Sequence, residues 1–409
     1  MTHFQYDVVI IGGGPAGLAC AIGTGRHQLS VLLLEKNAWP GRKLLISGTG
    51  QCNLTHTGPI ENFLDHYGSR EKGRFVKSAL YHFTNSDLCD FVRKYGVSLE
   101  ETSVGKVFPA SRKASEVLDL FLSRCEQYGV ILQTGSPVES VEKMNDQFTV
   151  RTSQSEFTAR NLVIATGGCS YPATGSTGDG WRLAASLGHT IIPPRPGLTP
   201  VYLTTNDFAE CSGVSVDNVG IRIGKTKHTA RGSVLFTHKG VSGPLILDFS
   251  RNMNPGDKLM FNWLGDTKAE TLDGILLETF ARHGRKSIKS ALRFTLLPER
   301  LLVALLKATG ILPETLACEI SRAVRGKIVA MLTNFEMEIA ALGSFHEAMV
   351  SVGGISLRET NRSSMESRLV QRLYFCGEVL DVDGDTGGYN IQFAVSSGFL
   401  AADKIARVF

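Results

Sequence analysis

A strand-like run, Tyr6 to Ile11, leads straight into Gly12-Gly13-Gly14-Pro15-Ala16-Gly17, then a helix-like stretch, a second apolar run from Val31 to Leu34, and Glu35. This order confines the start of the chain to a strand–helix–strand unit carrying the dinucleotide fingerprint in its required context. Gly12 and Gly14 allow a tight turn and close approach to a pyrophosphate, and Gly17 allows helix and strand to pack closely. Pro15 and Ala16 fall in the first helical turn, where unpaired N–H groups and the positive dipole end favour an anion. Glu35, read as an exposed carboxylate at the strand end, suits a ribose and disfavours a 2′-phosphate. The spacing therefore predicts FAD or NAD rather than NADP, against the bland alternative of glycines that serve packing alone.

The chain has 409 residues, beyond the usual single-domain range, so two or three domains are expected. With 20% charged and 43% hydrophobic residues it reads as an ordinary globular protein, and a net charge of +4 is too small to argue for a nucleic-acid partner. The basic stretch Arg282 to Arg293 reads as a solvated helix face. No export signal or membrane span is apparent, and a cytoplasmic location is expected. The eight cysteines stand singly, without a C-x-x-C pair, which fits reduced thiols better than a zinc site, a disulfide scaffold or a redox dithiol.

Two later segments turn a generic nucleotide site into a flavin site. Asn161 to Ile164 is an apolar strand running into Ala165-Thr166-Gly167-Gly168, preceded by alternating runs around Val138 to Val141 and Phe148 to Arg151 that predict a small antiparallel meander. Arg372 to Phe375 is another strand, ending on Cys376-Gly377-Glu378 ahead of a glycine-rich turn and a helix-like stretch from Asn390 to Arg407. In sequence order this arrangement is similar to that of FAD proteins of the glutathione-reductase type. The resemblance implies that Glu378 bonds the ribityl chain and that the helix starting near Gly388 points its N-terminus at the flavin pyrimidine edge. A helix N-terminus stabilises nearby negative charge by a few tenths to about 2 kcal/mol, which would favour the reduced flavin.

The fold class expected is α/β: a Rossmann-like FAD-binding domain of residues 1–193 and 354–409, an inserted β-rich barrel or sandwich of 194–265 and 343–353, and a helical subdomain of 266–342. The proline-rich junction Ile191 to Gly197 is the expected exit, since its prolines deny helix and sheet alike. In the helical part Leu272, Ile275, Leu276 and Thr279 are expected on one face, with a second pattern at Leu301, Leu302, Leu305 and Leu306.

Longer motifs make the match specific. Gly41 to Thr55, Leu235 to Pro244, and Phe375 to Val382 with Gly387 to Gln392 resemble a widespread bacterial flavoprotein family, often described only as NAD(P)/FAD-dependent oxidoreductases. Members include proteins named aminoacetone oxidase and a bile-acid dehydro-intermediate reductase. The resemblance covers essentially the whole chain. It departs at one point: the family usually reads Gly-Gly-Gly-Arg-Cys-Asn where this chain has Gly48-Thr49-Gly50-Gln51-Cys52-Asn53. The lost arginine takes with it a fixed cation and a fork-shaped donor.

The candidate cofactor-binding positions are Gly12, Gly14, Pro15, Ala16, Gly17, Glu35, Lys36, Arg42, Lys43, Ser47, Gly48, Cys52, Asn53, Val138, Thr166, Gly167, Gly168, Gly377, Glu378, Gly388, Asn390 and Ile391. Arg42 and Lys43 can reach phosphate or adenosine, or lie in a solvated loop. The Ser47 to Asn53 loop suits close backbone approach to the isoalloxazine. Cys52 lacks a neighbouring resolving thiol and reads as packing. His238, in a glycine-rich turn beside Ser242, is a candidate to bind substrate or shuttle a proton, or a residue that locks the inserted domain. Tyr389 and Asn390 either meet substrate or cap the helix. The Asp381 to Asp385 run lacks the order of a calcium loop, and no metal is expected. The stretch Tyr171 to Gly180 reads as a loop entering a helix that starts at Trp181.

With one fingerprint only, donor and acceptor are expected to exchange at a single flavin, with NAD(P)H a transient visitor where it is the donor. The leading expectation is an FAD-dependent oxidoreductase transferring hydride between flavin N5 and a small organic substrate, with electrons from or to NAD(P)H or O2. The alternatives are a flavin-binding redox sensor without turnover and a nucleic-acid-modifying flavoprotein. Partners are expected to be a small molecule, without nucleic acid or membrane.

Overall fold

The computed structural model describes residues 5–224, 226 and 228–408. The chain forms two compact units, Met1–Pro196 with Ala348–Phe409, and Gly197–Glu347.

In the first unit β1 (Tyr6–Ile11) lies between β2 (Val31–Leu34) and Glu156–Ile164, parallel to both. Strands with neighbours on both edges and helices on their faces must be apolar throughout, and Val8, Val9, Ile10, Leu32, Leu33, Leu162, Val163 and Ile164 are fully buried. Leu373–Phe375 adds in parallel beside Leu162 to Ile164. The first part of Glu156–Ile164 instead pairs antiparallel with Gln147–Thr152, which pairs with Val138–Met144. One long strand thus joins the parallel core to the meander.

Helix α1 (Pro15–Arg26) is buried from Ala16 to Gly25, an all-round burial that its small residues permit. It crosses the C-terminal helix Tyr389–Ala406 so closely that a Cβ on Gly398 would fall 2.4 Å from the Ala16 carbonyl oxygen. A three-stranded sheet of Thr55–His56, Lys106–Pro109 and Leu99–Glu101 completes the elements that bear on the site.

The second unit is a closed barrel of Val201–Leu203, Gly240–Ser242, Thr229–Phe236, Ser215–Ile223, Lys258–Asn262 and Phe335–Leu342, in that order around the ring. Phe261 stacks on Trp263 at 4.8 Å between centroids in its core. Helices Ala269–Arg282, Glu299–Ala308 and Arg322–Thr333 belong to the same unit and share that core.

Several expectations about boundaries differ from what is observed. Residues 335–342, expected to be helical, form the strand that closes the barrel. Residues 350–353, expected inside the insertion, belong to the first unit, in the strand Val350–Ile355 that pairs with Ile191–Gly197. That proline-rich stretch is itself a strand: in a two-stranded ribbon each strand has one free edge, where prolines lacking an N–H cost no ladder bond. On Ala269–Arg282 the buried line is Leu272, Leu276 and Phe280, while Ile275 is 40% exposed. The helix expected from Trp181 begins two residues earlier, as Asp179–Ser186, after a short turn at Pro172–Thr174.

Candidate functional site

The glycines of the fingerprint loop serve different ends. Gly12 has φ of +109°, and a Cβ there would lie 2.6 Å from the Ala165 carbonyl oxygen. A Cβ on Gly17 would lie 1.9 Å from the Gly12 carbonyl oxygen, so strand and helix meet through that position. At Gly14, the residue before the helix, a Cβ meets no described atom within 4 Å. The first turn of α1 has no side-chain cap. A helix start without a side-chain cap, beside a glycine with clear space at its Cβ position, is a cradle suited to a diphosphate.

The expectation that Glu35 is an exposed strand-end carboxylate is corrected: the residue is only 7% exposed. Oε2 accepts from Gly13 N at 2.9 Å, and Oε1 accepts from Asn37 N at 2.8 Å and Asn37 Nδ2 at 2.7 Å. The carboxylate therefore also holds the fingerprint loop in place. Gly41 N donates to Gly13 O at 2.9 Å, which draws the next segment onto the same loop.

That segment enters α2 (Arg42–Ile46). Arg42 donates to Asn37 Oδ1 at 3.2 Å, and Lys36 reaches Thr177 and Asp179. Lys43 lies apart from the fingerprint loop's carboxylate, with its ammonium 2.6 Å from Glu378 Oε2 and bonded to Ser170 Oγ. Glu378 also accepts from Ser351 N at 2.8 Å and Ser170 Oγ at 3.1 Å, so its carboxylate is already oriented.

From Gly48 to Cys52 the backbone is left-handed at Gly48, Thr49, Gly50 and Cys52, which wraps the loop tightly. Ser47 Oγ donates back to Leu44 O at 2.7 Å. The Cys52 side chain is fully buried, and that burial pushes its thiol up to about 12 despite a hydrogen bond with Ser47 that opposes the rise. Such a thiol is not a nucleophile near neutral pH. Asn53 Oδ1 is buried with no partner among the described residues. A buried amide oxygen without a donor costs free energy, and a ligand donor would supply the missing bond. Gln51, where the family carries arginine, accepts from Arg112 Nη1 at 3.2 Å. Arg112 lies over the Phe108 ring and pairs with Glu100 at 2.7 Å, so a guanidinium stands beside position 51 after all, delivered from another loop.

At the Ala165 to Gly168 turn Gly167 has φ of +72°, and a Cβ on Gly168 would collide with Ser351 Oγ and Glu378 Oε1. The Thr166 hydroxyl also lacks a partner among the described residues, but it sits over Gly180 of the following helix. Its side chain is therefore turned toward packing. Val138 is buried, and its carbonyl accepts from Arg182 Nη2 at 3.1 Å. Gly377, with φ of +74°, abuts Ala16, which brings the strand-Gly-acid turn onto the start of α1.

The start of the C-terminal helix is the most constrained part. Gly388 takes φ of +99° against the Thr55 backbone. Asn390, expected to meet substrate or cap the helix, does not cap it, since that helix has no side-chain cap: Oδ1 accepts from Gly384 N at 2.7 Å, while Nδ2 donates to the carbonyls of Gly384 at 2.9 Å and Asp385 at 3.3 Å. It braces the 381–388 loop. Ile391 is half-buried beside it. Lys72 bonds Asp381 at 2.7 Å and Asp383 at 2.6 Å, a cation where the local sequence offers only acids. The Tyr389 ring is buried and stacks on His66 at 4.1 Å and on His56 at 5.5 Å.

Sequence reasoning missed both histidines, because neither lies in a glycine motif. His56 has its ring nitrogens 2.8 Å from Thr57 O and 2.9 Å from Val104 O. His66 is placed differently, with Nδ1 2.9 Å from Asp385 Oδ2 and a partly exposed ring. His238 is exposed in the second unit, in the turn between Thr229–Phe236 and Gly240–Ser242.

The open space at Gly14, the uncapped first turn of α1, the Glu35 carboxylate beside that loop and the unmatched Asn53 oxygen fit a flavin dinucleotide. No helix among the described residues is long and apolar enough to cross a membrane.

Comparison with known proteins agrees with this geometry. The chain is 34% identical over 406 residues to the ribosomal RNA dihydrouridine synthase of Escherichia coli (strain K12), covering 98% of each chain. It is 29% identical to the 3-dehydro-bile acid delta(4,6)-reductase of Clostridium scindens, over 97% of this chain and 98% of that one. The solved 3-ketosteroid delta1-dehydrogenase of Sterolibacterium denitrificans shares the fold, with a TM-score of 0.51 at 12% identity over 99% of this chain and 100% of that chain. Residues 6–404 match the model of the HI0933-like protein Rossmann domain. The protein belongs to that HI0933-like family and is an FAD-dependent oxidoreductase.

Proposed function

We propose that the protein is a reductase of a carbon–carbon double bond conjugated to a carbonyl, and that its substrate is a uridine base in ribosomal RNA. The observation that carries this reading is the end-to-end similarity to a ribosomal RNA dihydrouridine synthase. The bile-acid reductase relative supports the same bond chemistry, because a 3-oxo-Δ4,6 steroid and a uracil ring both present an alkene in conjugation with a carbonyl.

Bound FAD would supply the hydride, with NADH or NADPH as the source of electrons. This chain's residues would do the rest. The α1 N-terminus and Glu35 would hold the diphosphate and the adenosine ribose, and the Ser47 to Asn53 loop would border the ring. Saturating the double bond also requires a proton on the carbon next to the carbonyl. His66 is suited to deliver it, since Asp385 holds Nδ1 at 2.9 Å and the stack on Tyr389 fixes the ring plane, which leaves Nε2 as the atom to carry the proton. Orientation by a carboxylate is how an imidazole is kept in one tautomer for acid–base work.

The test is to incubate holoenzyme and NADPH or NADH with deproteinised ribosomal RNA and analyse the nucleosides by mass spectrometry. Dihydrouridine formed only with enzyme supports the reading. Its absence, together with reduction of a 3-oxo-Δ4 steroid in the same assay, would replace the RNA with a small enone, which the bile-acid relative favours.

A further inference from the structure

The helix Arg70–His82 sorts its cations by face. Lys72 turns inward to Asp381 and Asp383, whereas Arg70, Arg74 and Lys77 are exposed at the spacing of one outer stripe. That stripe ends on Tyr81, 43% exposed, with the Lys77 ammonium 5.3 Å from its ring centroid. Beside Arg74 a groove opens on the same unit, floored by Phe75 and Leu357 and edged by Arg74, Arg358 and Arg362. The acid in its lining is Glu71, whose carboxylate is 4.0 Å from Arg358, with both side chains mostly in solvent. Such a pair neutralises little.

We propose that this groove and stripe form the docking surface for the sugar–phosphate backbone of the RNA substrate. The inference rests on the ribosomal RNA reading above. Guanidinium groups match phosphate oxygens in pairs, and an exposed aromatic among them offers a stacking face for a base. The small net charge of the chain, which argued against nucleic acid, is an average and does not describe a local cluster. None of these side chains belongs to the cofactor site, so the surface acts by positioning the RNA.

The experiment compares wild-type holoenzyme with an Arg74→Glu/Arg362→Glu double variant. A Lys307→Glu/Lys327→Glu variant, exposed positions in the other unit, controls for net charge. Binding to deproteinised ribosomal RNA is titrated over a range of KCl, and dihydrouridine formation is measured in parallel. The expected result is a plot of log affinity against log salt that is shallower by about one for each arginine changed, with unaltered FAD content, while the control keeps the wild-type slope. An unchanged slope in the arginine variant, or wild-type protein that does not bind RNA, overturns the proposal. An unchanged slope with dihydrouridine still formed would sink the surface and leave the substrate reading standing. The expected slope change without dihydrouridine in wild type would do the reverse.

Discussion

Replacing Glu35 with alanine should weaken FAD binding and also destabilise the protein without cofactor, and the two effects can be measured apart. The carboxylate accepts one buried bond from Gly13 N and two partly buried bonds from Asn37. Leaving a buried donor unpaired costs about 1–3 kcal/mol, and the Asn37 donors can recover some of theirs from water. A total of roughly 3 kcal/mol follows, and at about 2–4 °C per kcal/mol for a unit of this size the apoprotein melt should fall by roughly 6–12 °C. Ribose hydroxyls bonded to a carboxylate contribute about 1.5–3 kcal/mol, which is about 10- to 150-fold in Kd. Apoprotein prepared by flavin removal would be melted by circular dichroism and titrated with FAD by flavin fluorescence. An unmoved apoprotein melt would refute the bracing role of Glu35, and an unmoved FAD affinity would refute its contact with the ribose.

Gly14→Ala and Gly17→Ala should part company: the first points a methyl into open space and should leave the apoprotein melt intact while weakening FAD, whereas the second drives a Cβ to 1.9 Å from Gly12 O and should yield little soluble protein. Equal solubility and flavin content in both would contradict the division of labour. His66→Gln should lower turnover by about 10²- to 10⁴-fold with FAD content kept, the span of general acid catalysis, and unchanged turnover would refute its role as the acid. His238→Ala, run alongside, should slow flavin reduction if the exposed turn meets substrate, and an unaltered rate returns it to a structural part. Burial would raise the Asp403 carboxyl, but hydrogen bonds from His82 and His27 and the charge of Arg26 hold it well below the usual carboxylate range. A depressed carboxyl gives stability that is present above its unfolded value near pH 4 and lost as pH falls below it. Asp403→Asn should therefore cost about 1 kcal/mol at neutral pH, the scale of a partly exposed ion cluster, and nothing measurable in strong acid; equal melts at neutral pH would refute this.

The parts legible from sequence are those that local chemistry dictates. Apolar runs long enough for buried parallel strands, a glycine spacing that only a tight turn onto a helix satisfies, and the alternation of the meander specify the first unit, because strand period, turn stereochemistry and helix dipole are properties of neighbouring residues. The β-rich insertion was legible on the same ground. Its edges were not: prolines that would break an inner strand are harmless on a ribbon edge, and whether 335–342 coils or extends is decided by the barrel it closes.

Within the site, motif residues were found and their partners were not. Lys43 and Glu378, or His66 and Asp385, stand hundreds of residues apart, so nothing short of the fold brings them within 2.6 and 2.9 Å. Tertiary packing likewise engaged Asn390 with its own loop, buried Glu35, and returned a guanidinium to Gln51 from Arg112. Sequence by itself determined which backbone can approach a dinucleotide. The folded structure alone decided which side chains are free to act on one, since a polar group's role depends on the groups that distant segments carry to within hydrogen-bond reach of it.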